Sequence, residues 1–161
     1  MVCALYPVKS RKKVYEQLKS LGIKTYLPLR RELRQWSDRK KWVEVPVISS
    51  YIFVNITPSQ YRDVFNAHGV VAYVSHKGKA VPIPDHEIEA MRRTVENKLA
   101  FSVESDTLRK GEKVTITSGP LKGIEGEVEE IQGRKKLYLR ISHIGYMLVL
   151  NLEDVVRKEE G

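Results

Sequence analysis

Three consecutive cations, Arg11, Lys12 and Lys13, follow Ser10, a residue type that often caps the start of a helix. The sequence therefore places them in a first helical turn, where the backbone dipole makes each exposed cation unfavourable by about 0.3–1 kcal/mol. A bound phosphate would make the cations favourable there, because the free backbone N–H groups and the cationic side chains can bind it jointly. The alternative is that the long side chains extend into water at little cost. The first chemistry that the sequence suggests is phosphate binding.

A second group of cations surrounds two tryptophans in a polar segment that is predicted to form a β-hairpin, with Ser37 and Asp38 at its turn. Glu32 and Asp38 oppose these cations, which leaves a net charge of +4 over residues 30–41. Aromatic rings beside Lys and Arg can stack on nucleic-acid bases; alternatively, the two rings pack on each other as a cross-strand pair. The predicted nucleic-acid-binding residues of the hairpin are Arg30, Arg31, Arg34, Arg39, Lys40, Lys41, Trp36 and Trp42.

The positive charge of the chain is unevenly distributed. The 161 residues include 28 Lys and Arg against 20 Asp and Glu, a formal net charge of +8. Residues 1–50 hold 12 cationic and 4 acidic residues, residues 51–100 hold 6 and 5, and residues 101–161 hold 10 and 11. The excess lies in the first third, which favours a polyanionic partner, DNA or RNA, over a merely solvated surface.

Catalysis and metal binding have no support in the residue pattern. The four histidines lack the spaced Cys, His or acidic partners of a metal site, and Cys3 is expected to be a small core residue. We therefore expect no enzyme activity, no catalytic residues, no metal and no cofactor. Because no apolar run approaches about 20 residues, we expect no membrane contact. A single cysteine cannot form an internal disulfide, so we expect a protein of the reducing cytoplasm.

The elements that must position these residues predict two domains. Residues 1–98 alternate strands and helices, as in an α+β domain with an antiparallel sheet packed with helices. Residues 99–108 are expected to be a linker, and residues 109–161 contain short strands with glycine turns, as in a small all-β barrel. Besides the hairpin over 30–47, strands are expected at 2–8, 51–56 and 70–74. The buried positions expected in three helices are Val14, Leu18 and Leu21; Tyr61, Val64 and Phe65; and Ile88, Met91, Val95 and Leu99.

Glycines bracket a tight turn between two of the later strands. Gly119, Gly123 and Gly126 follow at intervals of four and three residues, with Pro120 at the first bend and Gly111 before the preceding strand. Because Gly126 is not followed by Lys and then Ser or Thr, the segment is not a phosphate-binding P-loop. We expect these residues to be structural, at a crossing where a Cβ would clash.

The stretch GEKVTITSGPLKGIEG at 111–126 matches the KOW motif almost position for position. Upstream, VISSYIFV at 47–54 and GVVAYV at 69–74 resemble a domain in which an aromatic-rich strand precedes a helix and a glycine-marked strand. Over nearly the whole chain, these features resemble the NusG family of transcription elongation factors, with an N-terminal (NGN) domain and a KOW domain. Within the family, LPL at 27–29 and WSDRKKWVEVP at 36–46 are most similar to the UpxY-type antiterminators of capsular polysaccharide operons.

The resemblance implies a monomeric antitermination and elongation factor that docks on the RNA polymerase clamp through an apolar pocket and suppresses pausing or termination. It implies that Tyr51 and Ile48 contact polymerase, although Tyr51 could instead be a core residue of its strand. The first helix and the hairpin would lie near DNA, and the KOW domain would contact a small-subunit ribosomal protein or the Rho terminator. Ser49 and Ser50 replace the usual Pro-Gly before Tyr51, which leaves the conformation of that turn open.

Two other classes of protein compete with this interpretation. A ribosome-associated structural RNA-binding KOW protein would carry a basic KOW domain, whereas residues 101–161 have a net charge of −1. An enzyme acting on nucleic acid would need a catalytic set that the pattern does not contain.

Overall fold

A computed structural model describes residues 1–6, 11–107 and 111–157 of the chain, which divides into two compact units, Met1–Pro82 and Ile83–Gly161. Helices and antiparallel strands are both present, so the predicted α+β class is confirmed. In chain order the first unit contains β1 (Val2–Leu5), α1 (Arg11–Ser20), β2 (Lys24–Tyr26), β3 (Leu29–Gln35), β4 (Lys40–Pro46), β5 (Tyr51–Asn55), β6 (Ala72–Tyr73), β7 (Ser75–His76) and β8 (Lys79–Ala80). The second unit contains α2 (Asp85–Glu96), β9 (Ser102–Ser105), β10 (Glu112–Thr115), β11 (Glu125–Ile131), β12 (Arg134–Ile141), β13 (Tyr146–Asn151) and α3 (Leu152–Arg157).

The first unit is built on an antiparallel sheet with the strand order β2-β5-β1-β6. β5 lies inside this sheet, as its β-branched and aromatic residues predict. Val54 of β5 is opposite Val2 of β1 on one side and opposite Thr25 of β2 on the other. This central strand carries Tyr51 at its first position, so the sheet fixes the backbone on which the predicted polymerase contact depends.

One face of α1 contributes to the core of the first unit. Val14 and Leu18, four residues apart, are fully buried in the same cluster as residues of β1 and β5. Leu21, predicted as the third buried position, is instead 41% exposed because the helix ends at Ser20. Gly22 then turns the chain with a φ of +77°. The predicted cap, Ser10, lies outside the described residues.

β3 and β4 form a separate two-stranded antiparallel ribbon, which confirms the predicted hairpin. Leu29 is opposite Pro46 at its base, and Gln35 is opposite Lys40 at its tip. A backbone hydrogen bond of 2.7 Å joins the first and last residues of the turn at 36–39. Because every residue from 31 to 42 is exposed, the ribbon presents both of its faces outside the core.

The segment after β5 differs from the sequence prediction. In place of an α-helix, the chain forms two short 3₁₀ turns, Pro58–Gln60 and Asp63–Asn66. Val64 is fully buried as predicted, but Tyr61 and Phe65 are 37% and 43% exposed. Two separate 3₁₀ turns do not sustain the 3.6-residue periodicity that would place all three side chains on one buried face.

The second unit is built on a five-stranded antiparallel sheet in the order β10-β11-β12-β13-β9, so the all-β character of the C-terminal region is confirmed. α2 belongs to this unit, whereas the sequence analysis predicts it in a first domain of residues 1–98. The carboxylate of Glu87 accepts hydrogen bonds from the backbone N–H and hydroxyl of Ser142, at 2.9 to 3.1 Å. Within the predicted linker 99–108, Ser102–Ser105 is a strand paired with β13, and Leu108 lies outside the described residues.

Candidate functional site

The register of the hairpin sorts its side chains onto two faces. Directly opposite residues share a face, and successive residues of a strand point to opposite faces. The face that we call the Trp42 face consists of Leu29, Arg31, Leu33, Gln35, Lys40, Trp42, Glu44 and Pro46. The face that we call the Arg34 face consists of Arg30, Glu32, Arg34, Lys41, Val43 and Val45.

The Trp42 face combines apolar surface with positive charge. Leu33 and Trp42 are directly opposite each other and are 46% and 57% exposed. The guanidinium carbon of Arg31 lies 5.5 Å from the centroid of the Trp42 ring, in the range of a cation–π contact. Trp36 lies in the turn and is 53% exposed. Because the register places Leu33 opposite Trp42, the alternative of a cross-strand tryptophan pair is not observed.

The Arg34 face places like charges together. Arg34 is directly opposite Lys41, an arrangement that destabilises a strand pair. The carboxylate of Glu32 lies 3.6 Å from the Arg34 guanidinium, but the pair is about half exposed and therefore contributes little. Arg39 adds charge at the turn, and Arg30 is half-buried near the base. The cations of this face oppose the stability of the hairpin, and a polyanionic ligand would relieve that repulsion.

Arg11 has a different environment from the two lysines that follow it. Its Nη1 donates a hydrogen bond of 3.0 Å to the backbone carbonyl oxygen of Glu44 in β4. Burial raises the pKa of Tyr6, and the positive charge of Arg11 partly opposes that rise. Lys12 and Lys13 are exposed. Arg11 therefore joins α1 to the hairpin, and the lysines face solvent beside that contact.

These environments predict separate effects for Arg11 and the lysines. Replacing Lys12 and Lys13 together with glutamine should reduce the salt slope of nucleic-acid binding by about 1.8, since each phosphate contact contributes about 0.9. Replacing Arg11 with glutamine should change the slope less and lower the free energy of unfolding by about 1 kcal/mol, because the bond to Glu44 is lost. Binding titrations at several salt concentrations and urea unfolding measure the two effects. An unchanged slope in the double lysine variant would remove α1 from the binding surface.

The two predicted polymerase-binding residues have different exposures. Tyr51 is half-buried, so it is not sealed in the core, whereas Ile48 is only 3% exposed and offers almost no surface to a partner. Ser50 has a φ of +70°, a left-handed conformation that favours glycine, and its carbonyl oxygen accepts the Tyr6 N–H at 3.0 Å. The Ser49-Ser50 sequence therefore adopts a glycine-like bend immediately before Tyr51.

Sequence reasoning missed an aromatic cluster in the first unit, in which the exposed Tyr61 and Phe65 pack against the buried Tyr73. The rings of Tyr61 and Phe65 have centroids 4.6 and 5.3 Å from that of Tyr73. The Tyr73 hydroxyl donates a 2.6 Å hydrogen bond to the Tyr61 carbonyl oxygen, and burial raises the pKa of Tyr73 to about 12. The segment between Pro58 and Gly69 is long enough for a helix like α1, so its length gives no signal against a regular helix.

The predicted turn residues of the second unit are constrained in two ways. Gly119 and Gly123 have left-handed φ values of +80° and +86°, and Pro120 follows Gly119 in the turn. At Gly111 and Gly126 space is limiting, because an added Cβ would lie 2.7 and 2.8 Å from atoms of neighbouring strands. Both constraints act on the shape of the backbone.

Cys3 is fully buried, and desolvation raises the pKa of its thiol to about 12, so the reactive thiolate is scarcely populated at neutral pH. Within residues 1–6, 11–107 and 111–157, no group of three or more His, Cys, Asp or Glu side chains is placed to hold a metal ion. Among the helices in these same ranges, none has the length and apolar character needed to cross a membrane.

Comparison with known families identifies the region that holds these features. A family model described as "Transcription termination factor nusG" matches residues 6–92, which is more than half of the chain. The matched region includes α1, the hairpin, β5 and the aromatic cluster around Tyr73. The surfaces described above for the first unit therefore fall within the part of the chain that the family model covers.

Individual relatives show the same similarity. The chain is 30% identical over 122 residues to the transcription termination/antitermination protein NusG of Rickettsia typhi, a match that covers 73% of this chain and 64% of that protein. It is 31% identical over 106 residues to the corresponding Rickettsia bellii protein, covering 64% of this chain and 55% of the relative. The chain thus spans less than two thirds of the length of these relatives. A solved structure described as "Domain interaction in Thermotoga maritima NusG" has a TM-score of 0.53 at 20% identity, covers 95% of this chain and 93% of that one, and shares the fold.

Proposed function

Because the chain belongs to the NusG family, whose members include transcription termination/antitermination proteins, we propose that it is an antitermination and elongation factor that binds RNA polymerase. In this proposal the surface around Tyr51 docks on the polymerase clamp, and the hairpin together with α1 contacts DNA or RNA. A factor that binds the closed clamp more tightly than the open clamp shifts the polymerase towards the closed state. The closed state would favour elongation over pausing and termination.

The observation that carries this proposal is the arrangement of charge on the hairpin. Exposed cations are concentrated on a ribbon that contributes little to the core, and two of them, Arg34 and Lys41, are directly opposite each other. Such repulsion opposes folding of the free protein, which is why a role in binding a polyanion accounts for it better than a role in stability. Phosphates on a nucleic acid near the polymerase would neutralise these cations and release their counterions.

We further propose that the factor acts on particular operons, of the capsular polysaccharide type. The residues that resemble UpxY-type antiterminators, 36–46, form the turn and the second strand of the hairpin. Most of them are exposed, so the resemblance lies in side chains that a nucleic acid can contact. The second unit would contact a small-subunit ribosomal protein or Rho, since the net charge of −1 over residues 101–161 fits a protein partner better than a nucleic acid.

Replacing Tyr51 with alanine should weaken binding of the full chain to purified core RNA polymerase by about ten-fold or more. The expected size is that of an interface residue whose truncation costs about 1.4 kcal/mol or more, which is about ten-fold in affinity. Binding is measured directly, and terminator read-through is measured in a transcription reaction with the same proteins. Both readouts should decrease together.

Tyr146 provides a matched control, because it is also a half-buried tyrosine at the first position of a strand but belongs to the second unit. Tyr146→Ala should leave polymerase binding within about two-fold of the native value, as expected for a residue outside the interface. Normal polymerase binding by Tyr51→Ala would show that the pocket assignment is wrong. Binding of the native chain to ribosomes but not to polymerase would favour the alternative, a ribosome-associated KOW protein.

A further inference from the structure

We infer that the open edge of β9 and the apolar groove beside it form a docking site for an extended peptide segment of a partner protein. The segment adds a strand to the sheet of the second unit and carries an apolar and a cationic side chain two residues apart. This inference goes beyond the proposed function, because it needs neither RNA polymerase nor nucleic acid. It also gives a role to Ser102–Ser105, which the sequence analysis assigns to a linker.

The first support is the backbone of β9. This strand is the last of its sheet, and β13 is its only partner among the strands of the described residues. The Asp106 N–H donates a 2.8 Å hydrogen bond to the Gly145 carbonyl oxygen, which continues the register of the pair. Hydrogen-bonded pairs alternate along an antiparallel ladder, so Glu104 also bonds to β13, whereas the N–H and C=O groups of Val103 and Ser105 point to the open edge. An added strand would pair with these groups.

The second support is an apolar groove on one face of this edge. It encloses a cavity of about 570 Å³, and its apolar lining consists of Phe101, Ile131, Tyr138, Met147 and Val149. Ser102 is opposite Val149 and Glu104 is opposite Met147, so both edge residues lie on the groove face. The Tyr138 hydroxyl donates a 2.6 Å hydrogen bond to a carboxylate of β11, which holds the floor of the groove in place before a partner binds.

The alternation of side chains fixes what the segment must carry. Every second side chain of an added strand faces the groove. One of these lies beside Ser102, whose small side chain leaves the groove open, so an apolar side chain fits at this position. The next lies beside Glu104, which is exposed, so a cation is complementary there. The two positions are two residues apart in the segment.

The charge around the groove distinguishes a basic peptide from a nucleic acid. β9 carries Glu104 and no cation. Arg140 pairs with both Asp106 and Glu127, so this group of one cation and two carboxylates has a net charge of −1. Lys136, at the rim of the groove, is directly opposite a glutamate of β11. The surroundings are therefore acidic, which disfavours phosphates and favours a cationic partner.

The position of Glu104 also argues against a second copy of the chain as the occupant. Two copies of β9 that pair through their open edges use all the outward groups when Val103 of one copy is opposite Ser105 of the other. That register places the two Glu104 side chains directly opposite each other, and like charges in this position destabilise a strand pair. A cationic segment of another protein has no such repulsion.

Fluorescence anisotropy of a labelled synthetic peptide, Thr-Lys-Thr-Leu-Thr-Lys-Thr, with the full chain tests the inference. The central leucine has a lysine two residues away on either side, so the peptide fits β9 in both directions. We expect saturable binding that weakens about ten-fold when alanine replaces the leucine, because most of the buried apolar surface is lost. No saturable binding, or equal binding of the leucine and alanine peptides, would overturn the inference.

Ser105→Pro tests the added strand, because it removes an outward N–H that makes no bond to β13, and edge strands tolerate proline at such positions. It should bind the peptide about five-fold more weakly than Ser105→Ala, which keeps the N–H. Circular dichroism verifies that both variants are folded. Equal affinities would exclude strand addition, and a dimer of the native chain that Ser105→Pro dissociates would assign the edge to a second copy instead.

A charge exchange tests the contact at Glu104 without altering the backbone. The native chain should prefer the lysine peptide to one with glutamates in place of both lysines, and Glu104→Lys should reverse this preference, by a few-fold in each case. An unchanged preference would overturn the assigned register. Binding of Ser105→Pro to RNA polymerase should equal that of the native chain. If the native chain bound the peptide but not polymerase, the proposed function would fail and this inference would stand.

Discussion

Replacing Gly119 with alanine should lower the free energy of unfolding of the second unit by about 3 kcal/mol. Its φ of +80° is left-handed, a conformation that is unfavourable by about 1–2 kcal/mol for a residue with a Cβ. The added Cβ would also lie 2.7 Å from the carbonyl oxygen of Val155 in α3, and overpacking of this kind costs about 1–3 kcal/mol. The conformational and the steric loss both arise from the added Cβ, so we expect the two losses to add.

Other glycines of the same unit separate the two effects. Gly123 has a φ of +86° and no heavy atom within 4 Å of an added Cβ, so Gly123→Ala should show only the conformational loss of about 1 kcal/mol. Gly111 is not left-handed, but its Cβ would lie 2.7 Å from the Val128 carbonyl oxygen, so Gly111→Ala isolates the steric loss. Urea unfolding followed by circular dichroism measures all three variants. If Gly119→Ala were no more damaging than Gly123→Ala, the steric part of the account would be wrong.

The parts of the fold that sequence reasoning predicted well are those that local interactions determine. The hairpin follows from alternating Val43 and Val45 and from a polar turn at Ser37 and Asp38, all within a few residues of one another. The end of α1 follows from Gly22, whose left-handed φ is a local preference. In each case the residues that specify the element are neighbours in the chain.

The incorrect predictions concern elements that distant contacts determine. The strand β9 has one apolar residue, Val103, and owes its conformation to pairing with β13 more than forty residues later in the chain. The aromatic residues Tyr61 and Phe65 suggested a buried helical face, but they pack against the buried Tyr73 and stay exposed themselves. Neither arrangement leaves a periodic signal in the segment that adopts it.

The candidate site shows the same division. The cations and tryptophans of the hairpin were identified from the sequence, but their distribution between two faces depends on the pairing register. The bond from Arg11 to Glu44 joins residues 33 positions apart, so no local pattern reveals that Arg11 differs from its two neighbours. Burial of Ile48 is likewise a tertiary property, and it separates this residue from the more exposed Tyr51.

Replacing Arg34, Arg39 and Lys41 together with glutamine should produce the largest loss of nucleic-acid affinity. If each cation contacts one phosphate, the salt slope becomes shallower by about 2.7, and affinity near 0.1 M salt falls about 500-fold. The variant should stay folded, because the substitutions remove the repulsion between Arg34 and Lys41, and the exposed Glu32–Arg34 ion pair that is also lost contributes little. Titrations of the full chain with an oligonucleotide at several salt concentrations give both values.

A matched triple variant in the second unit decides whether location or total charge is responsible. Lys98, Lys113 and Lys135 are exposed there, and their replacement by glutamine lowers the net charge by the same three units. If affinity came from the total charge of +8, through long-range attraction that salt screens, both triple variants would bind nucleic acid equally weakly. A defined binding surface would confine the change in slope to the hairpin variant, because only contacted phosphates release their counterions. Equal slopes in the two variants would therefore remove the hairpin as the nucleic-acid site, even if the chain still binds RNA polymerase.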